Sequence, residues 1–300
     1  MSLDKVATLA APEGSGTGFG NAWSPSGGRI AVAGPADSVL VWDIASHELI
    51  FQARHRGTVP CVAWSPDGRT IASGTSAGGV HLFDSTRGRQ LCAAQGHSDE
   101  VRSVSFSPDG RYLASGANDS VVRVWSAAEL APIATINAHN GLVRSVAWSP
   151  NGSMLASCGH DNTVRVWSPD SWQGAGALVD HTSWVSTVAF SPDGRFLASG
   201  SGDSTVRIWD LADRKYHRVL DQFDGWWVVN FAFSPDSRFI AAMNNDPTIY
   251  VYDVNTGALV AEATVPYGSL SVTWSPDGRH IATSGFETII WAAAAASMAI

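Results

Sequence analysis

The sequence predicts an all-β fold in which seven four-stranded antiparallel blades stand in a ring. Three observations predict it. A Trp/Phe-Ser-Pro tripeptide recurs seven times, starting at Trp23, Trp64, Phe106, Trp148, Phe190, Phe233 and Trp274, with spacings of 41, 42, 42, 42, 43 and 41 residues. A second aromatic follows each one (Trp42, Phe83, Trp125, Trp167, Trp209, Tyr252 and Trp291), 19 residues later in six repeats and 17 in the last. Within each repeat, short alternating apolar runs are separated by turn residues, as strands are. A unit of this size cannot bury its own apolar faces and must stack on neighbours. Four short, evenly spaced strands repeated in this way make a radial β-propeller rather than a sandwich.

Taken in order, the chain begins with an extra strand over Asp4 to Ala10, before the first Ser-Pro strand near Phe19. The fifth repeat shows the pattern of the others. Val185 to Phe190 alternates and ends at Ser191-Pro192-Asp193-Gly194, a strand closed by a turn. Phe196 to Gly200 is a second strand, Gly202-Asp203-Ser204 a turn, Thr205 to Asp210 a third strand, and Tyr216 to Leu220 a weaker fourth. The last repeat has three strands, ending at Trp291. The N-terminal strand is therefore expected to complete the last blade, which removes the open sheet edges. The expected organisation is one propeller over residues 1–291 and an Ala-rich tail over 292–300.

Composition narrows the function. Hydrophobic residues make up 45% and charged residues 15%, as in a folded domain. The net charge of -8 opposes binding to a phosphate backbone, so no nucleic acid is expected. No apolar run is long enough to span a bilayer, and the N-terminus lacks a signal pattern, so no membrane is expected. Three cysteines, Cys61, Cys92 and Cys158, lie in three different repeats, and a reducing cytoplasmic compartment is the expectation.

Trp42-Asp43 and Trp209-Asp210 end their repeats, with variants Phe83-Asp84, Tyr252-Asp253, Trp125-Ser126 and Trp167-Ser168. Gly96-His97 precedes the third Ser-Pro strand, and His55, His139 and His181 hold the same place in theirs. With these motifs the chain resembles the WD40-repeat proteins over residues 4–291. The resemblance implies a buried chain of hydrogen bonds in each blade, linking the His, a second-strand Ser or Thr, the turn Asp and the Trp indole. Three repeats hold all four: His97, Ser115, Asp119, Trp125; His139, Ser157, Asp161, Trp167; and His181, Ser199, Asp203, Trp209. The second repeat keeps His55 and Ser73 but has Ala77 and Phe83; the sixth has Asp224 and Ala242. Blades three to five are expected to be the rigid centre and the closure the softest region.

No phosphate loop, nucleophile elbow, zinc-protease motif or Cys-x-x-Cys is present, so no metal, no cofactor and no catalytic residue is expected. The residues flanking the start of each inner strand suggest a binding surface instead. The WD40 resemblance implies that these positions ring the mouth of the central channel: Phe19, Leu142, Trp184, Trp227, Val229 and Leu270 would form an apolar arc there, with Glu100, Arg102 and Arg144 beside it and His160 in a turn at the same rim. Exposed aromatics next to arginine are the composition of a binding hot spot. Trp226 and Trp227 could instead turn inward and plug the channel. The expected function is a non-catalytic scaffold that binds a protein or peptide at this rim. The alternative is an enzyme or small-molecule binder using the central funnel, with His160, Glu100, Arg102 and Arg144 as its polar groups.

Overall fold

The computed structural model describes residues 3–12, 18–34, 37–212, 215–221, 223, 225–266 and 268–293. Seven four-stranded antiparallel sheets follow one another along the chain. Blade 5, for example, consists of Val185–Phe190, Phe196–Ser201, Val206–Asp210 and Lys215–Leu220. The innermost strand of each blade packs on that of the next, and Gly20–Trp23 of blade 1 packs on Ser271–Trp274 of blade 7, so the ring closes. The extra N-terminal strand is Asp4–Leu9, and it pairs antiparallel with Thr288–Ala292 to complete blade 7. Ala292 belongs to that strand and Ala293 is buried in the core, so the alanine run begins inside the fold; residues 294–300 lie outside the described ones.

Seven apolar clusters form the core, each shared by two adjacent blades. The one between blades 7 and 1 joins Leu9 to Trp23, Ile30, Trp42 and Ile290. Burial between blades rather than within them is why no repeat is stable alone.

The Ser-Pro-Asp-Gly turn explains its own recurrence. In blade 3 the Ser107 hydroxyl donates to Asp109 at 2.6 Å and accepts the amide of Tyr112 at 2.9 Å. Gly110 takes φ of 71°, where a side chain would be strained, and faces Pro66 of the preceding blade. The same Gly-on-Pro contact joins Gly68 to Pro25, Gly152 to Pro108 and Gly278 to Pro235.

The seams between blades differ. The Trp64 and Trp148 indoles donate across theirs, to the Ala22 carbonyl at 2.9 Å and the Ser105 carbonyl at 3.1 Å. The Trp23 and Trp274 indole nitrogens, beside the closure, are buried and find no acceptor among the described residues. A polar staple holds the closing seam instead. Asn21 donates through its side-chain amide to Ser284 at 2.8 Å and through its backbone amide to Ser271 at 3.3 Å, and its side-chain carbonyl accepts from Thr273.

Candidate partner-binding rim

The buried hydrogen-bond chains of blades 3 to 5 fix one face of the ring. In blade 4, His139 Nδ1 donates to Asp161 at 2.8 Å, its Nε2 pairs with the Ser157 hydroxyl at 2.8 Å, and the Trp167 indole donates to Ser157 at 2.9 Å. With Nδ1–H on the carboxylate, Nε2 is left as the acceptor for the hydroxyl, so every member is satisfied. Blade 3 repeats the pattern through His97, Asp119, Ser115 and Trp125, at 3.0, 2.7 and 2.8 Å. Blade 5 does so through His181, Asp203, Ser199 and Trp209, but its indole bond is long at 3.5 Å. Burial depresses the pKa of His97 and His139, with the carboxylate pulling the other way. Asp161 and Asp203 are held below the usual carboxylate range: burial would raise them, and the histidine, hydroxyl and amide bonds outweigh it.

The other blades solve the same position differently. In blade 2, His55 pairs with Ser73 at 3.2 Å, but its Nδ1 is buried without a partner, because Ala77 stands where Asp119 stands in blade 3. Burial, with His81 beside it, pulls the His55 pKa down to about 4. Blade 6 replaces the polar chain with rings: Phe223 lies edge-on to Tyr250 and Tyr252 at 5.7 and 5.6 Å. Asp224 itself lies outside the described residues. Blade 7 keeps one link, the Trp291 indole donating to Thr283 at 2.9 Å.

The same face carries the rim. The amide of His160 donates to the Leu142 carbonyl at 3.0 Å, so the turn after the second strand and the loop leading into the inner strand meet there. His160 and Trp184 face each other with centroids 5.6 Å apart, and the Arg144 guanidinium stands 5.6 Å from the Trp184 ring centre. Trp184 is half-buried, laid over Gly202, and so offers less free surface than an unsupported rim tryptophan. Arg102 is pinned: it pairs with Glu100 at 3.1 Å and donates to Asn118 at 3.2 Å.

Trp227 belongs to a second group. Its ring partner is Trp226, edge-on at 6.2 Å, and the two are 41% and 45% exposed. Neither lines the cavity at the centre of the ring, so they do not plug the channel. Sequence reasoning overlooked Phe286. It is 61% exposed in the turn of blade 7 that corresponds to the His160 turn of blade 4, and its ring lies over Gly268, beside Leu270. A lone aromatic in a turn of small and polar residues was the available signal.

The arc read from the sequence is thus divided. Of its members, Phe19, Arg102 and Arg144 line the central cavity of 230 Å³, while Leu142, Trp184, Trp227, Val229 and Leu270 lie outside it. A β-bulge accompanies the division at Arg102 and Arg144, although Val229, bulged alike, lies outside the cavity. In blades 3 to 6 the ladder skips one residue at the start of the inner strand: Arg102, Arg144, Ser186 and Val229. A bulged residue leaves the strict in-out alternation and its side chain is re-aimed.

A family model described as "IFT122 first beta-propeller" matches residues 75–285. The chain belongs to the WD40-repeat family of seven-bladed propellers. A second model, "Anaphase-promoting complex subunit 4 WD40 domain", matches residues 21–100 of this WD40 protein. The WD repeat-containing protein VIP3 of Arabidopsis thaliana is 34% identical over 117 residues, covering 34% of this chain and 36% of that protein. The WD40 chain thus aligns with about a third of the length of that curated relative. Proteins of this family typically work as protein-interaction scaffolds.

The electrostatics of the WD40 rim are uneven. Burial lowers the pKa of Arg144, and Arg102 nearby lowers it further. Burial also lowers that of His160, with Arg144 and Arg102 adding to it, so the imidazole is neutral near pH 7. Among the described residues there is no cluster of three or more His, Cys, Asp or Glu able to hold a metal ion, and no helix is long and apolar enough to cross a membrane.

Proposed function

We propose that this WD40 ring is a non-catalytic scaffold that binds a protein or peptide partner through the face carrying Trp227, Trp184 and Arg144. The observation that carries the reading is that the exposed rings of Trp226, Trp227, Phe286 and Phe19 lie in the loops that lead into the inner strands or the turn beside them, whereas the other large exposed apolar side chains lie on or next to the outermost strands. Tryptophan and arginine together are what partner-binding hot spots are made of. The relationship to other WD40 propellers supports it at the level of the family. We place the protein in a reducing, cytoplasmic compartment on its cysteine usage, three free thiols with two of them buried. Nucleic acid is not the partner proposed, because the net charge is -8.

The alternative, a small-molecule binder or enzyme in the central funnel, has less support. The cavity of 230 Å³ falls below the roughly 300–1,000 Å³ of small-molecule pockets. Much of its polar lining is also engaged in the seams: Ser186 donates to the Gly200 and Val228 carbonyls, and Asn230 accepts the amide of Val272.

The test is affinity capture with the wild type against the Trp227→Ala, Phe286→Ala double variant, both checked for melting temperature. Partners held by the wild type and lost by an equally stable variant are the expected result. Capture of the same partners by both would place binding on another surface.

A further inference from the structure

Arg144 is the polar side chain of the central cavity whose charge the protein does not use. Its neighbours are engaged: Arg102 by Glu100 and Asn118, Ser186 by two carbonyls, and Asn230 by the next blade. Among the described residues the Arg144 guanidinium has no hydrogen-bond or ion-pair partner, and it stands 5.6 Å from the centre of the Trp184 ring. Trp184 is itself laid over Gly202 and against His160, so the arginine is backed by a supported ring. The bulge at Val143 and Ser145 frees Arg144 from the ladder and aims it into the cavity. Arg144 is half-buried, and a charge in that position with no protein partner is left for water or a ligand to satisfy. Arg144 thus lines the cavity with its donors unengaged by the described residues.

We propose that Arg144 is the receptor for a carboxylate carried by the partner, inserted into the mouth of the central cavity while the rest of the partner lies on the aromatic rim. This inference rests on the proposed rim function and names its ligand chemistry. A guanidinium presents paired N–H donors in a plane that match the two oxygens of a carboxylate. Trp184, 5.6 Å away, limits the space in which that plane can turn, so less freedom is lost on binding. Arg102 nearby adds positive potential without competing for the ligand, since Glu100 holds it. The carboxylate has two possible sources: an Asp or Glu side chain within the partner, or its free C-terminus. Both fit a cavity of 230 Å³.

The test is an array of random twelve-residue peptides made in two forms, one with amidated C-termini and one with free C-termini, followed by solution affinities for the peptides bound best. Wild type, Arg144→Gln, Arg144→Lys and the Trp227→Ala, Phe286→Ala variant are compared. The expected result is enrichment of Asp and Glu among amidated binders, or a requirement for the free C-terminus, which separates the two sources. Arg144→Gln should weaken these peptides about 10- to 100-fold, the loss of charge-assisted hydrogen bonds, with Arg144→Lys in between. Because the removed charge is unpaired in the free protein, Arg144→Gln should melt no lower than the wild type. Wild-type binders with neither acidic enrichment nor a requirement for the free C-terminus, equal binding by Arg144→Gln, or a fall in the melting temperature of Arg144→Gln would each overturn the proposal. If Trp227→Ala, Phe286→Ala weakens all binders while acid selection is absent, the rim reading stands and the carboxylate proposal alone fails. If no peptide binds the wild type, both fail.

Discussion

The buried His55 of blade 2 lacks the carboxylate that its counterparts in blades 3 to 5 possess, and Ala77→Asp should supply it. Ala77 occupies the place of Asp119, between Ser76, whose amide bonds the Thr58 carbonyl, and Gly78 at φ of 81°. Asn118 and Ser120, with φ of 69°, frame Asp119 in the same way. The new carboxylate would meet the orphaned Nδ1 at the 2.8–3.0 Å found in the other blades. A hydrogen bond to a charged group contributes about 1.5–3 kcal/mol, and burying part of the carboxylate offsets some of that, leaving about 1–2 kcal/mol. At about 2.1 cal/mol/K per residue, a chain of 300 residues unfolds with an entropy near 0.6 kcal/mol/K, so the melting temperature should rise by about 2–3 °C. The pH dependence gives an independent check. In the wild type the folded His55 has its pKa lowered to about 4, so between pH 6.5 and 4 the unfolded chain binds the extra proton, and stability falls as pH falls. A carboxylate beside the ring raises the folded pKa and shrinks that loss, so the variant's advantage should be larger at pH 5 than at pH 7.5. The assay is differential scanning calorimetry of both proteins at the two pH values. An unchanged or lower melting temperature at pH 7.5, or an advantage that narrows at pH 5, would refute the reasoning.

Two further predictions concern the ring itself. Ser157→Ala removes the group that satisfies both His139 and the Trp167 indole, and should cost about 2–4 kcal/mol; Ser199→Ala should cost less, because its indole bond is 3.5 Å rather than 2.9 Å. Urea unfolding of the two variants would check the order, and equal losses would contradict it. Removing Asp4–Leu9 uncovers the edge of Thr288–Ala292 and takes Leu9 out of the closing core, so the shortened chain should self-associate and melt earlier, as light scattering and calorimetry would show. A monomer with the wild-type melting temperature would count against closure as a source of stability.

The blades, the closure and the polar chains were legible because each is written in side chains at a fixed spacing. His97 lies 18 residues before Ser115 and 28 before Trp125, and blade 4 repeats those intervals through His139, Ser157 and Trp167. What the rim side chains do was less legible. Arg102 and Arg144 line the channel and sit at one-residue bulges, which nothing in their neighbours' alternation announces. Trp184 read as a free aromatic, yet it rests on Gly202, which comes near it only in the folded blade. The staple from Asn21 to Ser271, Thr273 and Ser284 joins residues about as far apart as the chain allows, where no local pattern can report a contact. Blade 6 was visible only as a missing network, since Phe223 reaches Tyr250 and Tyr252 by shape rather than by a motif.

The bulges at Arg102, Arg144, Ser186 and Val229 also bear on how such a ring can change. Arg102 and Arg144 are skipped by the ladder and belong to no apolar cluster between blades, whereas Ser186 is engaged in the seam to blade 6 and Val229 lies outside the cavity. Blades 3 and 4 therefore offer an equivalent socket that can be refilled at modest cost to folding, and here both sockets hold an arginine. The scaffold separates the problem of closing the circle from the problem of choosing a partner. An engineer could rewrite these two sockets as a combinatorial pair while leaving the hydrogen-bonded chains behind them untouched.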